Sequence, residues 1–202
     1  MTIMLEAHLR PAYQQLFVEP VAKRLAGRCT PNAVSLASLL VGLAAAPAIA
    51  MENPWLAMAL LLISGYLDTL DGSIARLTNH CTPFGTMLDI TCDRLVEFAV
   101  IFGLFAYAPE ARGWLCMGML GSVLIVVTTF LTAGMFLPNE SEKSFNYTPA
   151  LMERPEAFTF FVLMIFFPAW FDWLAYLFIV LVLYTAMLRM LQTKRALSEQ
   201  TK

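Results

Sequence analysis

Apolar runs of membrane-spanning length recur along this chain, and they leave it few folds to adopt. Ala33 to Ala50 and Gly113 to Phe136 carry no charge, and Trp55 to Arg76 carries charge only toward its far end. Phe84 to Ala108, Ala157 to Phe171 and Trp173 to Leu188 bring the number of runs to six. A bilayer core offers no water to unpaired backbone groups, so a run of about 20 apolar residues is stable there as a helix that satisfies its own N–H and C=O groups. The expected fold is therefore all-α and integral to a membrane, with six transmembrane helices. The fifth run, at 15 residues, is short of a full crossing. It must borrow from Glu156 or Asp172 or tilt little, and Pro168 is expected to end or kink it.

Composition removes several function classes. A hydrophobic content of 59% and a mean hydropathy of +0.67 agree with a single membrane domain. A net charge of −2 supplies no basic field for nucleic acid. Cys29, Cys81, Cys92 and Cys116 show no C-x-x-C spacing, and His8 and His80 are too few and too scattered for a zinc site. The thiols read as small membrane-embedded hydrophobes.

Residues 1 to 30 carry charge and two prolines, which is not the pattern of a signal peptide. Leu5, Leu9, Tyr13, Leu16, Phe17, Val21 and Leu25 recur at near-helical spacing, with Arg10, Lys23, Arg24 and Arg28 between them. This predicts an N-terminal interfacial amphipathic helix, broken or restarted at Pro20. The chain then divides into a juxtamembrane segment (1–30), a six-helix membrane domain (31–192) and a cytosolic tail (193–202).

Against this apolar background, Leu67 to Glu97 stands out. Asp68, Asp71, Asp89 and Asp93 place four carboxylates within 26 residues, divided by the turn-forming stretch Thr78 to Pro83. Asp68 and Asp71 are three apart and Asp89 and Asp93 four apart, so each pair projects from one face of its own helix. Thr82 before Pro83 reads as an N-cap with proline at the first helical position. Two antiparallel helices joined by this turn bring the four carboxylates together, and like charges in a low-dielectric setting resist ionising unless cations join them. All-oxygen ligation favours Mg²⁺, Mn²⁺ or Ca²⁺. Gly72 and Ala75 leave room beside the metals, and Arg76 offers a cationic fork for phosphate. Metals, a phosphate-binding arginine and a small-residue recess suggest a nucleotide diphosphate. Structural ion pairs, such as Arg94 with Asp93 or Glu97, do not explain why both acidic pairs flank one turn.

The spacing D-x2-D-G-x2-A-R-x8-G-x3-D-x3-D is met at every position by Asp68, Asp71, Gly72, Ala75, Arg76, Gly85, Asp89 and Asp93, and it resembles the signature of the CDP-alcohol phosphotransferases. The resemblance extends to Thr30, Pro31 and Asn32 and loosely to the six-helix layout, but not at motif level to the last third. It implies transfer of a phosphatidyl group from a CDP-linked lipid to a small alcohol, with release of CMP. Two divalent ions, Mg²⁺ or Mn²⁺, would be held by Asp68, Asp71, Asp89 and, for one ion, Asp93. Asp93 is also the candidate general base. Gly72, Ala75, Arg76, Gly85, Thr30 and Asn32 would bind the nucleotide, and a homodimer is implied. The acceptor stays open among serine, glycerol phosphate, inositol phosphate, ethanolamine and others.

Six crossings put both termini on one side. If that side is cytosolic, twelve of the thirteen basic residues lie inside and only Arg112 outside, which fixes the orientation and places the carboxylates in the inner leaflet of what is expected to be a bacterial inner membrane. Leu137 to Glu156 then forms a cytosolic segment whose Lys143 and Arg154 are candidate acceptor contacts, together with Arg94. The run Met152 to Glu156 resembles the start of the fifth helix in inositol-phosphate-type members, as does Arg94 after the last aspartate. Ala157 stands where such members would carry a further basic residue. The competing function is a divalent-cation transporter or channel. That would place carboxylates near mid-membrane with polar access from both sides, and the apolar outer halves of the second and third spans do not offer it.

Overall fold

A computed structural model describes residues 13–136 and 154–200. Among these every regular element is helical. A π-helical turn, Gln14–Val18, runs into α1 (Glu19–Leu25), and α2 (Pro31–Leu43) is followed by the short α3 (Ala45–Ala50). Then come α4 (Pro54–Leu77), α5 (Pro83–Tyr107), α6 (Pro109–Phe136), α7 (Arg154–Phe166), a 3₁₀ turn (Pro168–Trp170) and α8 (Phe171–Gln200). Four of these stretches are long and apolar enough to cross a membrane: Pro31–Ala50, Pro54–Leu77, Pro109–Phe136 and Pro168–Ser198.

The remaining two expected crossings differ from these four in a physical way. α5 has 25 residues but carries Asp89, Asp93, Arg94 and Glu97. α7 has 13 residues and stops at Phe166, so the fifth run does not continue as one helix to Phe171. Pro168 instead starts the 3₁₀ turn, because its ring fixes φ and it cannot donate an N–H to the preceding turn. The first run is likewise two helices, α2 and α3, with Ala44 between them. α8 outruns the expected sixth span and stays helical to Gln200. At the N-terminus, Pro20 sits in the first turn of α1 and restarts the helix after the π turn. Leu5, Leu9, Arg10 and Lys143 lie outside the described residues.

The chain forms two compact units. The first takes residues up to Ala45 together with Trp55–Ala99. Its core joins Val18 and Ala22 of the N-terminal helix to Val34 of α2 and to Leu70 and Ile74 of α4. Ser38 of α2 and Ser64 of α4 donate to each other's backbone carbonyls at 2.8 and 2.9 Å. Gly42 makes this approach possible, since a Cβ there would lie 2.5 Å from Val96 Cγ2 and 2.8 Å from Ser64 Oγ.

The second unit takes Ala46–Pro54 and the residues from Val100 onward. In it α6 and α8 run parallel: Gly118 faces Ile179, and Arg189 donates to the Val126 carbonyl at 3.2 Å while lying over the Phe130 ring. Phe161 and Phe178 pack α7 on α8 with ring centroids 5.6 Å apart. Arg112 is buried between the rings of Tyr107 and Phe171, each 4.2 Å from its guanidinium carbon. The two aromatic faces bracket the guanidinium, which also donates to the Leu104 and Pro168 carbonyls at 3.4 Å each.

Candidate metal centre

The centre lies in the first unit and is built on the turn between α4 and α5. α4 stops through a double backbone cap: Asn79 adopts φ 53° and donates to the Arg76 carbonyl at 3.3 Å, and His80 N–H donates to Ala75 C=O at 2.9 Å. Asparagine tolerates this left-handed conformation better than most residues, which suits it to the position. Three residues later Thr82 caps α5, its Oγ1 accepting from Gly85 N–H at 3.0 Å with Pro83 at the first helical position. Both helix ends are thus satisfied within a five-residue connection, and the carboxylates on either side keep a fixed relation.

Within that frame, carboxylate oxygens of Asp68, Asp71 and Asp89 all lie within 4.8 Å of one another. Ion-to-oxygen distances of about 2.0–2.6 Å are usual for Mg²⁺ and Ca²⁺, so one dication can touch all three. Asp71 is 5% exposed, while Asp68 and Asp89 are half-buried. Asp93, one turn further along α5 and also half-buried, is not among the three.

Ser35 of α2 completes the arrangement. Its buried hydroxyl donates to Asp71 Oδ2 and lies 3.2 Å from the Pro31 carbonyl. Ser35 is four positions beyond Pro31, one helical turn after the Thr30-Pro31-Asn32 stretch, and a contact spanning 36 residues leaves no mark in local spacing. The trace in sequence is a serine at that i+4 position, shared with a second serine, Ser38, on a helix that is mostly apolar.

Other predicted residues fall around this core. Thr30 caps α2, accepting from Ala33 N–H at 3.4 Å. A Cβ on Gly85 would lie 3.2 Å from Thr82 Oγ1 and 3.5 Å from Asn32 Oδ1, so the starts of α2 and α5 are neighbours. A Cβ on Gly72 would lie 3.5 Å from the Arg76 guanidinium, which is exposed and also donates to Ser73 Oγ at 3.1 Å. Ala75 is half-buried on the same helix. Arg94 pairs with the buried Glu97 at 2.7 Å, so its guanidinium is already engaged. Arg154 opens α7.

Comparison with known proteins follows the same residues. A family model described as CDP-alcohol phosphatidyltransferase matches residues 28–191. The inner membrane protein YnjF of Escherichia coli K12 is 34% identical over 175 residues, covering 83% of this chain and 84% of that protein. The archaetidylinositol phosphate synthase of Pyrococcus horikoshii is 36% identical over 97 residues, 48% of this chain and 51% of its own length. In fold, the chain is similar to the crystal structure of Mycobacterium tuberculosis phosphatidylinositol phosphate synthase (PgsA1) with CDP-DAG bound. The TM-score is 0.73 at 23% identity, covering 88% of this chain and 93% of that one. The same mycobacterial protein in complex with manganese and citrate gives a TM-score of 0.72 at 22% identity, covering 88% of each chain.

Proposed function

The chain belongs to the CDP-alcohol phosphatidyltransferase family, and from that premise we propose that it transfers a phosphatidyl group from a CDP-linked lipid, such as CDP-diacylglycerol, to the hydroxyl of a small alcohol. The observation that carries this reading is the group Asp68, Asp71 and Asp89, whose oxygens gather within 4.8 Å beside a capped turn. An all-oxygen set of that size suits Mg²⁺ or Mn²⁺, and the short contact from Ser35 holds Asp71 in place.

Two divalent ions bound here would neutralise the pyrophosphate and the departing CMP. Asp68, Asp71 and Asp89 would hold them, with Asp93 as a further ligand to one. Asp93 also takes the proton from the acceptor hydroxyl as its oxygen attacks the lipid-bearing phosphorus and the bond to CMP breaks. Arg76 holds a phosphate, and Gly72, Ala75, Gly85, Thr30 and Asn32 admit the nucleotide. Lys143, Arg154 and Arg94 stand on the acceptor side, with Arg94 needing to leave Glu97 to take part.

In the membrane, α5 and α7 join the four apolar stretches to make six crossings, with the N-terminal helix at the interface. The positive-inside distribution puts both termini and the centre on the cytosolic side of an inner membrane. The reading includes a homodimer. The relatives named for inositol phosphate products put an inositol phosphate first among acceptors to try.

The test uses purified protein in vesicles with labelled CDP-diacylglycerol and a panel of alcohols: inositol phosphate, glycerol phosphate, serine and ethanolamine. Label should move to a new phospholipid, with CMP released, only when an alcohol and a divalent ion are both present. Absence of CMP release with every acceptor, or transfer undiminished by EDTA, would refute the reading.

A further inference from the structure

We propose that Tyr66 is a positioning residue for the metal centre, tying the metal-bearing half of α4 to an N-terminal helix seated on an anionic lipid surface. The inference rests on the reading of Asp68, Asp71 and Asp89 as metal ligands.

The N-terminal helix has a loosened stretch at its middle. Glu19 N–H reaches back to Gln14 C=O, a π-helical closure, and Pro20 has no N–H to give. Within this stretch Tyr66 Oη donates to the Phe17 carbonyl at 3.0 Å, a contact spanning 49 residues. Beside it Val18 and Ala22 are fully buried against Leu70 and Ile74, with Leu67 packed on the same cluster. On α4, Leu67 and Leu70 alternate with Asp68 and Asp71. The two turns that present carboxylates on one side therefore present the N-terminal helix's seat on the adjacent side.

The opposite face of that helix has the chemistry of a membrane surface. Tyr13, Leu16 and Phe17 are 40%, 70% and 61% exposed, and Lys23, Arg24 and Arg28 follow them, all exposed. Aromatic and aliphatic side chains backed by cations fit the boundary between acyl chains and anionic headgroups. The chain also contains four stretches able to cross a bilayer, which holds this helix near that boundary. Phe17 faces both ways, offering its ring outward and its carbonyl inward to Tyr66. A shift of the helix on the lipid surface is thereby passed to the turns of α4 that carry Asp68 and Asp71.

The test measures Mn²⁺ affinity by electron paramagnetic resonance of the free ion, for wild type and Tyr66→Phe in nanodiscs with and without anionic lipid. One hydrogen bond is lost, so Tyr66→Phe should weaken Mn²⁺ binding on the order of threefold to tenfold. The extra tightening that anionic lipid gives the wild type should shrink to that expected from surface charge alone, measured on Phe17→Ser, which keeps the carbonyl but removes the lipid-facing ring. Thermal unfolding of Tyr66→Phe should shift by no more than the loss of one hydrogen bond produces, and equally with and without anionic lipid. Equal affinity and equal lipid response in the two proteins would overturn the coupling. Weakened binding with lowered unfolding temperature and an unchanged lipid response would also overturn it, leaving a packing defect. Wild type that binds no Mn²⁺ in any nanodisc overturns the metal reading itself.

Discussion

Replacing Ser35 with alanine removes one hydroxyl from the centre and tests whether it organises a ligand. Asp71 is 5% exposed, so water has little access to replace the donor that Ser35 gives its Oδ2. Hydrogen bonds to charged groups contribute about 1.5–3 kcal/mol, and loss of a group that orients a ligand costs roughly 10- to 100-fold in metal affinity. Those two scales agree, since about 1.4 kcal/mol corresponds to a factor of ten. Ser35→Ala should therefore weaken Mn²⁺ binding by about 10- to 100-fold, measured by calorimetry on purified protein, and turnover at fixed low Mn²⁺ should fall with it. Excess Mn²⁺ should restore most of the turnover, because Ser35 orients the ligand and takes no part in bond making. Ser35→Thr keeps the hydroxyl and should lose less affinity than Ser35→Ala. Affinity in Ser35→Ala within twofold of wild type would show that Asp71 is held without Ser35.

Asp68→Asn, Asp71→Asn and Asp89→Asn should each lose metal binding and turnover together, whereas Asp93→Asn should keep much of its CDP-lipid binding and lose turnover on the order of 10²-fold or more; equal loss of binding in Asp93→Asn would make it chiefly a ligand. Gly72→Leu should weaken CDP-lipid binding while leaving the protein folded, since the new side chain starts 3.5 Å from the Arg76 guanidinium; unchanged affinity would move the nucleotide elsewhere. Gly42→Ala should lower stability by about 1–3 kcal/mol, read as a drop in unfolding temperature, because its Cβ would fall 2.5 Å from Val96 Cγ2; an unchanged unfolding temperature would mean that α5 can step back at no cost.

What the sequence made legible was local. Thr82-Pro83 announced the start of α5, the three- and four-residue spacings announced carboxylate faces, and the turn between them is short enough that the two helices had to be antiparallel. Spacing places the four carboxylates on two helix faces but does not tell how near their oxygens come: those of Asp68, Asp71 and Asp89 lie within 4.8 Å of one another, and Asp93 stands one turn beyond Asp89. Ser35 escaped because its partner is 36 residues away. Hydropathy marks the runs but does not show that Ala44 breaks the first into two helices, whereas Pro168, whose ring marks the end of the fifth run in the sequence, does start a 3₁₀ turn after Phe167. For Arg94, spacing offers both Asp93 and Glu97 as partners, and the structure pairs its guanidinium with the buried Glu97 at 2.7 Å.

The charges along α5 also bear on how the chain is built into a bilayer. Asp93, Arg94 and Glu97 lie near the midpoint of that helix, where an ionisable side chain costs about 2.5–3.5 kcal/mol on insertion scales. Its Leu, Ile, Val and Phe residues each return only about 0.3–0.6 kcal/mol, too little to offset three such groups together with Asp89. A translocating segment of this kind is not released sideways into lipid on its own. As the third of the six proposed crossings, α5 would leave the translocon only against α2 and α4, so the residues proposed for the centre would also set the order in which these helices enter the membrane.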